Sequence, residues 1–165
     1  RMDATELDFA NESFDNIICL EAAFHFQTRD KFYREALRVL KPGGLLVTSD
    51  ILGPEIIWPG NSVDGGPKGL KERLEQAGFT DTQVWDRTLE CRDGFKRNIR
   101  RWPRQELKAK RISPARYLHL IMYAGLRAVV GTYITTHYVI TSAQKPAIPG
   151  ASPSASDTED KAASS

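Results

Sequence analysis

Cysteine is nearly missing from this chain: two in 165 residues, Cys19 and Cys91. Two thiols cannot build the disulfide framework that holds small secreted domains together. Cys19 lies inside the apolar run IICL and reads as a buried thiol. A reducing, cytoplasmic setting is therefore expected. Long hydrophobic runs are missing too. The most apolar stretch, residues 112–134, is broken by Arg116, His119 and Arg127, which excludes a transmembrane segment there. The opening RMDATELDF has no apolar core of the kind a signal peptide needs. Net charge is nearly absent: 23 basic against 21 acidic residues leave +2, which makes nucleic acid a poor candidate for the main partner. His119 and His137 stand at no metal-ligand spacing with each other or with the cysteines, so no metal is predicted.

What is present suits one domain with a sizeable core. Hydrophobic residues make up 41% and charged residues 27%, both ordinary for a globular chain. The run FDNIICL at residues 14–20 predicts a parallel strand buried on both faces. Thr28 is placed to cap a helix, with Asp30 in its first turn. Phe32, Ala36, Val39 and Leu40 then recur at helical spacing, until Pro42-Gly43-Gly44 stops the pattern. Residues 45–52 read as the next buried strand. Residues 53–69 read as a loop. Pro67 opens a helix with the stripe Leu70, Leu74 and Ala77, and Gly78 ends it. A strand is expected over residues 80–88, with Trp85 in the core. A helix follows from Pro114 to about Val130, ended by Gly131, and residues 133–143 read as a strand. The remainder, 145–165, is too poor in bulky apolar residues to order itself and is expected to be a disordered tail.

Strand, helix, Pro-Gly-Gly and strand make a parallel α/β unit. In such units ligands bind at the carboxyl ends of the strands. The motifs SFDNIICLEAAFHF, REALRVLKPGGLLVTSDI, KERLEQAGFTDTQVWD and YVITSAQKP follow one another at spacings that resemble class I S-adenosylmethionine-dependent methyltransferases of the type 11 kind. The resemblance covers residues 1–144 and implies strands four to seven of a Rossmann-like α/β sheet, the last strand antiparallel. The family's glycine-rich cofactor loop has no counterpart in this sequence. The chain is therefore expected to be the C-terminal part of a longer methyltransferase, or to complete its sheet with an N-terminal half or a partner chain.

The resemblance implies methyl transfer from S-adenosyl-L-methionine to a small-molecule acceptor. Asp3 and Ala4 would bracket the adenine, and Leu20 and Glu21 would lie under the methionine end. His25 has the intrinsic basicity to take a proton from an acceptor hydroxyl, and Asp50, ending the following strand, could pair with it or with the acceptor. The blander alternatives are that His25 packs its loop, that Glu21 pairs with Arg29, and that Asp50 simply ends a buried strand. Residues 92–111 hold nine Lys and Arg against two acids, a net of +7, with Phe95 and Trp102 interleaved. Residues 89–112 would form a cap-like insertion that favours an anionic or large acceptor. Otherwise this stretch is a solvated helical face, or a module that binds anionic surfaces. A non-catalytic remnant or partner subunit is the competing reading for the whole chain.

Overall fold

A computed structural model describes residues 2–134 and 136–147. In chain order it contains β1 (Phe14–Leu20), a short 3-10 turn (Ala23–His25), α1 (Arg29–Val39), β2 (Leu40–Leu52) and α2 (Gly66–Gln76). Then come β3 (Thr80–Asp86), α3 (Thr88–Lys108), α4 (Pro114–Ile134) and β4 (His137–Gln144). The four strands form one mixed sheet in the order β1-β2-β4-β3. β1 and β2 are parallel, as a helical crossover demands. β4 is antiparallel to both of its neighbours.

The core forms where alternation along the strands meets the apolar stripes of two helices. Leu46, Thr48, Asp50 and Leu52 of β2 point to one face of the sheet and are buried, as are Val139, Thr141 and Ala143 of β4. Phe32, Tyr33 and Ala36 of α1 and Leu70 and Leu74 of α2 pack onto that face. Its buried polar pair, the Thr48 and Thr141 hydroxyls, satisfies itself across the ladder at 2.5 Å. Arg38 anchors the segment ahead of β1, donating to the Leu7 and Phe9 carbonyls and to Asn11.

The opposite face of the sheet is open. Ile18 is 69% exposed and Leu20 66%. The expectation that β1 is buried on both faces fails, because only Cys19 and its side of the strand meet the helices. Cys19 is buried as expected, and burial pushes its thiol up to about 11. Trp85 also corrects the reading: it is 40% exposed, on the uncovered side of an edge strand.

Residues 92–108 of the basic stretch lie in a 21-residue helix, α3, that runs through both Gly94 and Pro103, as the helical-face alternative has it. α4 does not stop at Gly131 but continues to Ile134, so β4 begins at His137 rather than at residue 133. Glycine in a helix interior costs only about 1 kcal/mol, too little to end a helix alone. Thr28 sits at the N-cap of α1 without a side-chain capping bond. The tail predicted over residues 145–165 starts too early, because Lys145 donates to the Gly44 and Leu40 carbonyls; residues 148–165 lie outside the described residues.

Candidate functional site

The parallel pair β1 and β2 ends where the chain turns out of the sheet. Glu21 follows β1 with a φ of 49°, a left-handed conformation that a non-glycine residue rarely adopts. Its N–H donates to the Ser49 carbonyl at 2.8 Å, which fixes the turn against the end of β2. Its carboxylate accepts from the Tyr138 hydroxyl at 2.7 Å. Burial, then the bond to the Glu21 carboxylate, holds the Tyr138 phenol above its ordinary range. Tyr138 stands opposite Ile51 in the ladder, so one bond links the exit of β1 to the entry of β4. Sequence reasoning missed Tyr138, since a tyrosine in a β-branched strand reads as packing.

After Glu21 the chain makes the 3-10 turn that carries His25. Ala23 and Phe24 are buried under it, while His25 is exposed. The imidazole packs on the Phe24 ring, with centroids 4.1 Å apart. Phe24 meets Trp58 edge-on at 5.3 Å. Phe24, His25, Phe26, Ile57, Trp58 and Asn61 line a cavity of about 320 Å³. Among the described residues the imidazole has no hydrogen-bond partner, so its nitrogens are open to whatever enters.

A buried polar network holds this loop. The Arg29 side chain and Asp50 are both fully buried and joined by Nε to Oδ2 at 2.9 Å. Arg29 Nη2 donates to the Ile51 carbonyl at 2.7 Å, and the Arg29 N–H donates to Asn61 Oδ1 at 2.7 Å. Asn61 Nδ2 donates in turn to the Phe26 carbonyl at 2.6 Å. Asp50 Oδ1 accepts from the Ile51 N–H. Burial pushes the Asp50 carboxyl above its ordinary range, and the Arg29 guanidinium pulls against it. Arg29 therefore pairs with Asp50, not with Glu21, and Asp50 faces Arg29 rather than His25. Only loop-to-strand geometry makes these partners neighbours: Arg29 and Asp50 lie 21 positions apart, and Arg29 and Asn61 lie 32 apart.

The other sequence candidates sit at the same end of β1 or ahead of it. Asp3 is exposed, and its Oδ1 accepts from both the N–H and the hydroxyl of Thr5 at 2.8 Å. Those two bonds hold its carboxyl below the ordinary value. Ala4 is half-buried against the core cluster. Leu20 leaves most of its side chain open. α3 starts over the strand ends: the Arg87 N–H donates to the Tyr138 carbonyl at 2.8 Å, and the Glu21 carboxylate is near enough to help raise the Cys91 thiol, after burial. Phe95 and Trp102 stay about half exposed on that helix. Among the described residues no cluster of side chains could hold a metal ion, and no helix is long and apolar enough to cross a membrane.

Comparison with known proteins adds relatives to this geometry. Residues 1–48 match a family model described as a methyltransferase domain. The chain is 29% identical over 179 residues to the erythromycin 3''-O-methyltransferase of Saccharopolyspora erythraea, an alignment covering 87% of this chain and 54% of that protein. Over 50 residues it is 46% identical to methyltransferase GfsG of Streptomyces halstedii, covering 30% of this chain and 18% of that one. Among solved structures, a phosphoethanolamine N-methyltransferase 2 of Haemonchus contortus in complex with S-adenosyl-L-methionine superposes with a TM-score of 0.67 at 21% identity, covering 87% of this chain and 36% of that one. The [4+2]-cyclase SpnF superposes with a TM-score of 0.62 at 23% identity, covering 89% of this chain and 55% of that one. The four-stranded mixed sheet with its flanking helices thus matches part of a larger fold. The chain spans about half the length of the erythromycin relative.

Proposed function

We propose that this chain, part of a class I S-adenosylmethionine-dependent methyltransferase domain of the type 11 kind, supplies the acceptor side of a site that methylates a hydroxyl of a small molecule. The observation that carries the proposal is the open imidazole of His25 at the rim of the 320 Å³ cavity. A cavity of that size, walled by Phe24, Ile57 and Trp58, suits the apolar body of an organic acceptor. The O-methyltransferase relative supports oxygen as the acceptor atom.

The residues at the exit of β1 and in the segment ahead of it fit one flank of the cofactor by their chemistry. Asp3 offers a carboxylate to an adenine amine, half-buried Ala4 a small apolar contact, and Leu20 an open apolar side chain. Glu21 offers a carboxylate, oriented by Tyr138, to the amino group at the methionine end. When bound, the cofactor supplies an activated methyl group. The chain does the rest. His25 takes the proton from the acceptor hydroxyl as the new O–C bond forms. Phe24 and Trp58 orient the acceptor and exclude water. Arg29, Asp50 and Asn61 act as positioning residues, because misplacing His25 by about 1 Å would lose on the order of 100-fold in rate.

The test is His25→Ala and His25→Gln in the protein that carries this chain, with methyl transfer and cofactor affinity measured separately. The expected result is a fall in turnover of about 100-fold or more at unchanged cofactor affinity. Equal losses in both would reject the general-base role. Product must be measured directly, because a cyclase also stands among the structural neighbours and a shared fold does not fix the chemistry.

A further inference from the structure

The strand-end site leaves the cationic side of α3 unused. Arg97, Arg101, Arg104 and Lys108 line one wall of a groove of about 610 Å³ between α3 and α4, with Tyr117 of α4 opposite. Their spacing of four, three and four residues puts all four cations on a single stripe of the helix, about 16 Å long at 1.5 Å per residue. Like charges on successive turns repel, so the helix alone has no reason to gather them. Nor does an internal partner. Glu106 is taken by Arg111 through two bonds of 2.7 Å, and Glu90 by Arg87. Among the described residues, none of the four stripe cations forms an ion pair.

From this arrangement we infer that the groove between α3 and α4 binds a ligand carrying two or more phosphoryl groups. Three of the four cations are arginines, whose planar forks match phosphate oxygens in pairs. A single carboxylate needs one such fork, whereas a stripe this long answers charge spread along a chain of phosphates. The volume lies within the range of small-molecule sites. A flat anionic membrane is a poorer match. Phe95 and Trp102 lie roughly 140° around the helix axis from the stripe, so neither aromatic of α3 would anchor a bilayer that met the cations. The inference is independent of methyl transfer at the strand ends, and its test reads a different event.

The experiment is calorimetric titration of the full chain with orthophosphate, inorganic pyrophosphate and tripolyphosphate at low ionic strength. The expected result is saturable binding that strengthens along that series and weakens with added salt. Joint replacement of Arg101→Gln and Arg104→Gln, both exposed, should weaken pyrophosphate on the order of tenfold or more. Lys68→Gln with Lys71→Gln on α2 removes the same charge elsewhere and should leave binding unchanged. Circular dichroism checks that each variant is folded, and Lys108→Gln alone gives a milder second reading of the same stripe. No pyrophosphate binding, orthophosphate binding as tightly as tripolyphosphate, or equal weakening in both double variants would overturn the inference. Binding confined to anionic vesicles or to RNA would overturn it as well.

Discussion

Replacing Asp50 with asparagine separates a structural carboxylate from a chemical one. Asparagine keeps the shape and one acceptor oxygen but removes the charge that faces Arg29. Arg29 is fully buried, and its Nη1 already lacks a partner among the described residues. A buried guanidinium without its counter-charge costs about 3–5 kcal/mol. For a chain of this size 1 kcal/mol moves the melting temperature by about 2–4 °C, so Asp50→Asn should melt on the order of 10 °C lower. Replacing both partners, Arg29→Met with Asp50→Leu, removes both charges but leaves the Ile51 carbonyl without its donor and the Ile51 N–H without its acceptor. Each loss is worth about 1–3 kcal/mol, offset by the two apolar side chains that replace a costly buried pair, so the double variant should be more stable than Asp50→Asn. Thermal and urea unfolding followed by circular dichroism, run as a double-mutant cycle, would give the coupling. The reasoning fails if Asp50→Asn melts within about 1 °C of the parent. Unchanged stability with lost methyl transfer would instead assign Asp50 to the chemistry.

Three further outcomes are expected. The bidentate bond from Arg38, aided by the Leu7 N–H, holds the Glu35 carboxyl below its ordinary 4.5. A depressed carboxyl stabilises the fold above its unfolded value and stops doing so as pH falls through its folded value. Melting temperature should therefore drop on acidification below about pH 4.5, and Glu35→Gln should flatten that drop while lowering stability at pH 7. Gly69→Ala and Gly94→Ala should move stability in opposite directions in the same unfolding assay. A Cβ at Gly69 would collide with the Asp64 carbonyl oxygen, whereas at Gly94 it meets open space inside a helix and should add about 0.5–1 kcal/mol. Ile18→Lys charges the open edge strand and should reduce light scattering on concentration without shifting the melting temperature. A lower melting point would mean that Ile18 packs against something.

The sheet and the site differed in how far local pattern could carry them. β1, α1 and most of β2 were legible because Phe32, Ala36 and Val39 hold one helical period and LLVTSD is a separate apolar run; the helix nevertheless ends at Val39, and Pro42-Gly43-Gly44 lies inside β2, which starts at Leu40 rather than at residue 45. The antiparallel final strand followed from the family resemblance. What failed was punctuation. Gly131 looked like a stop for α4, but a glycine inside a helix costs only about 1 kcal/mol; α3 runs even through Pro103, a residue that costs about 3 kcal/mol there. At the site, His25 stood out as a titratable group between two phenylalanines beyond a strand. Arg29, Asn61 and Tyr138 did not, because their roles arise from partners far away in sequence. Nothing local distinguishes an arginine that opens a helix on the surface from one sealed under a loop.

The reversed direction of β4 has a practical consequence. Gln144 pairs with Leu45 in the first half of β2, and the Lys145 N–H donates to the Gly44 carbonyl. The backbone therefore leaves the sheet at the end remote from His25 and Glu21. A label, fusion or surface tether joined just after this point would hold the molecule with its strand-end cavity facing outward. Immobilised measurements of ligand entry could then be made from that side without blocking the opening.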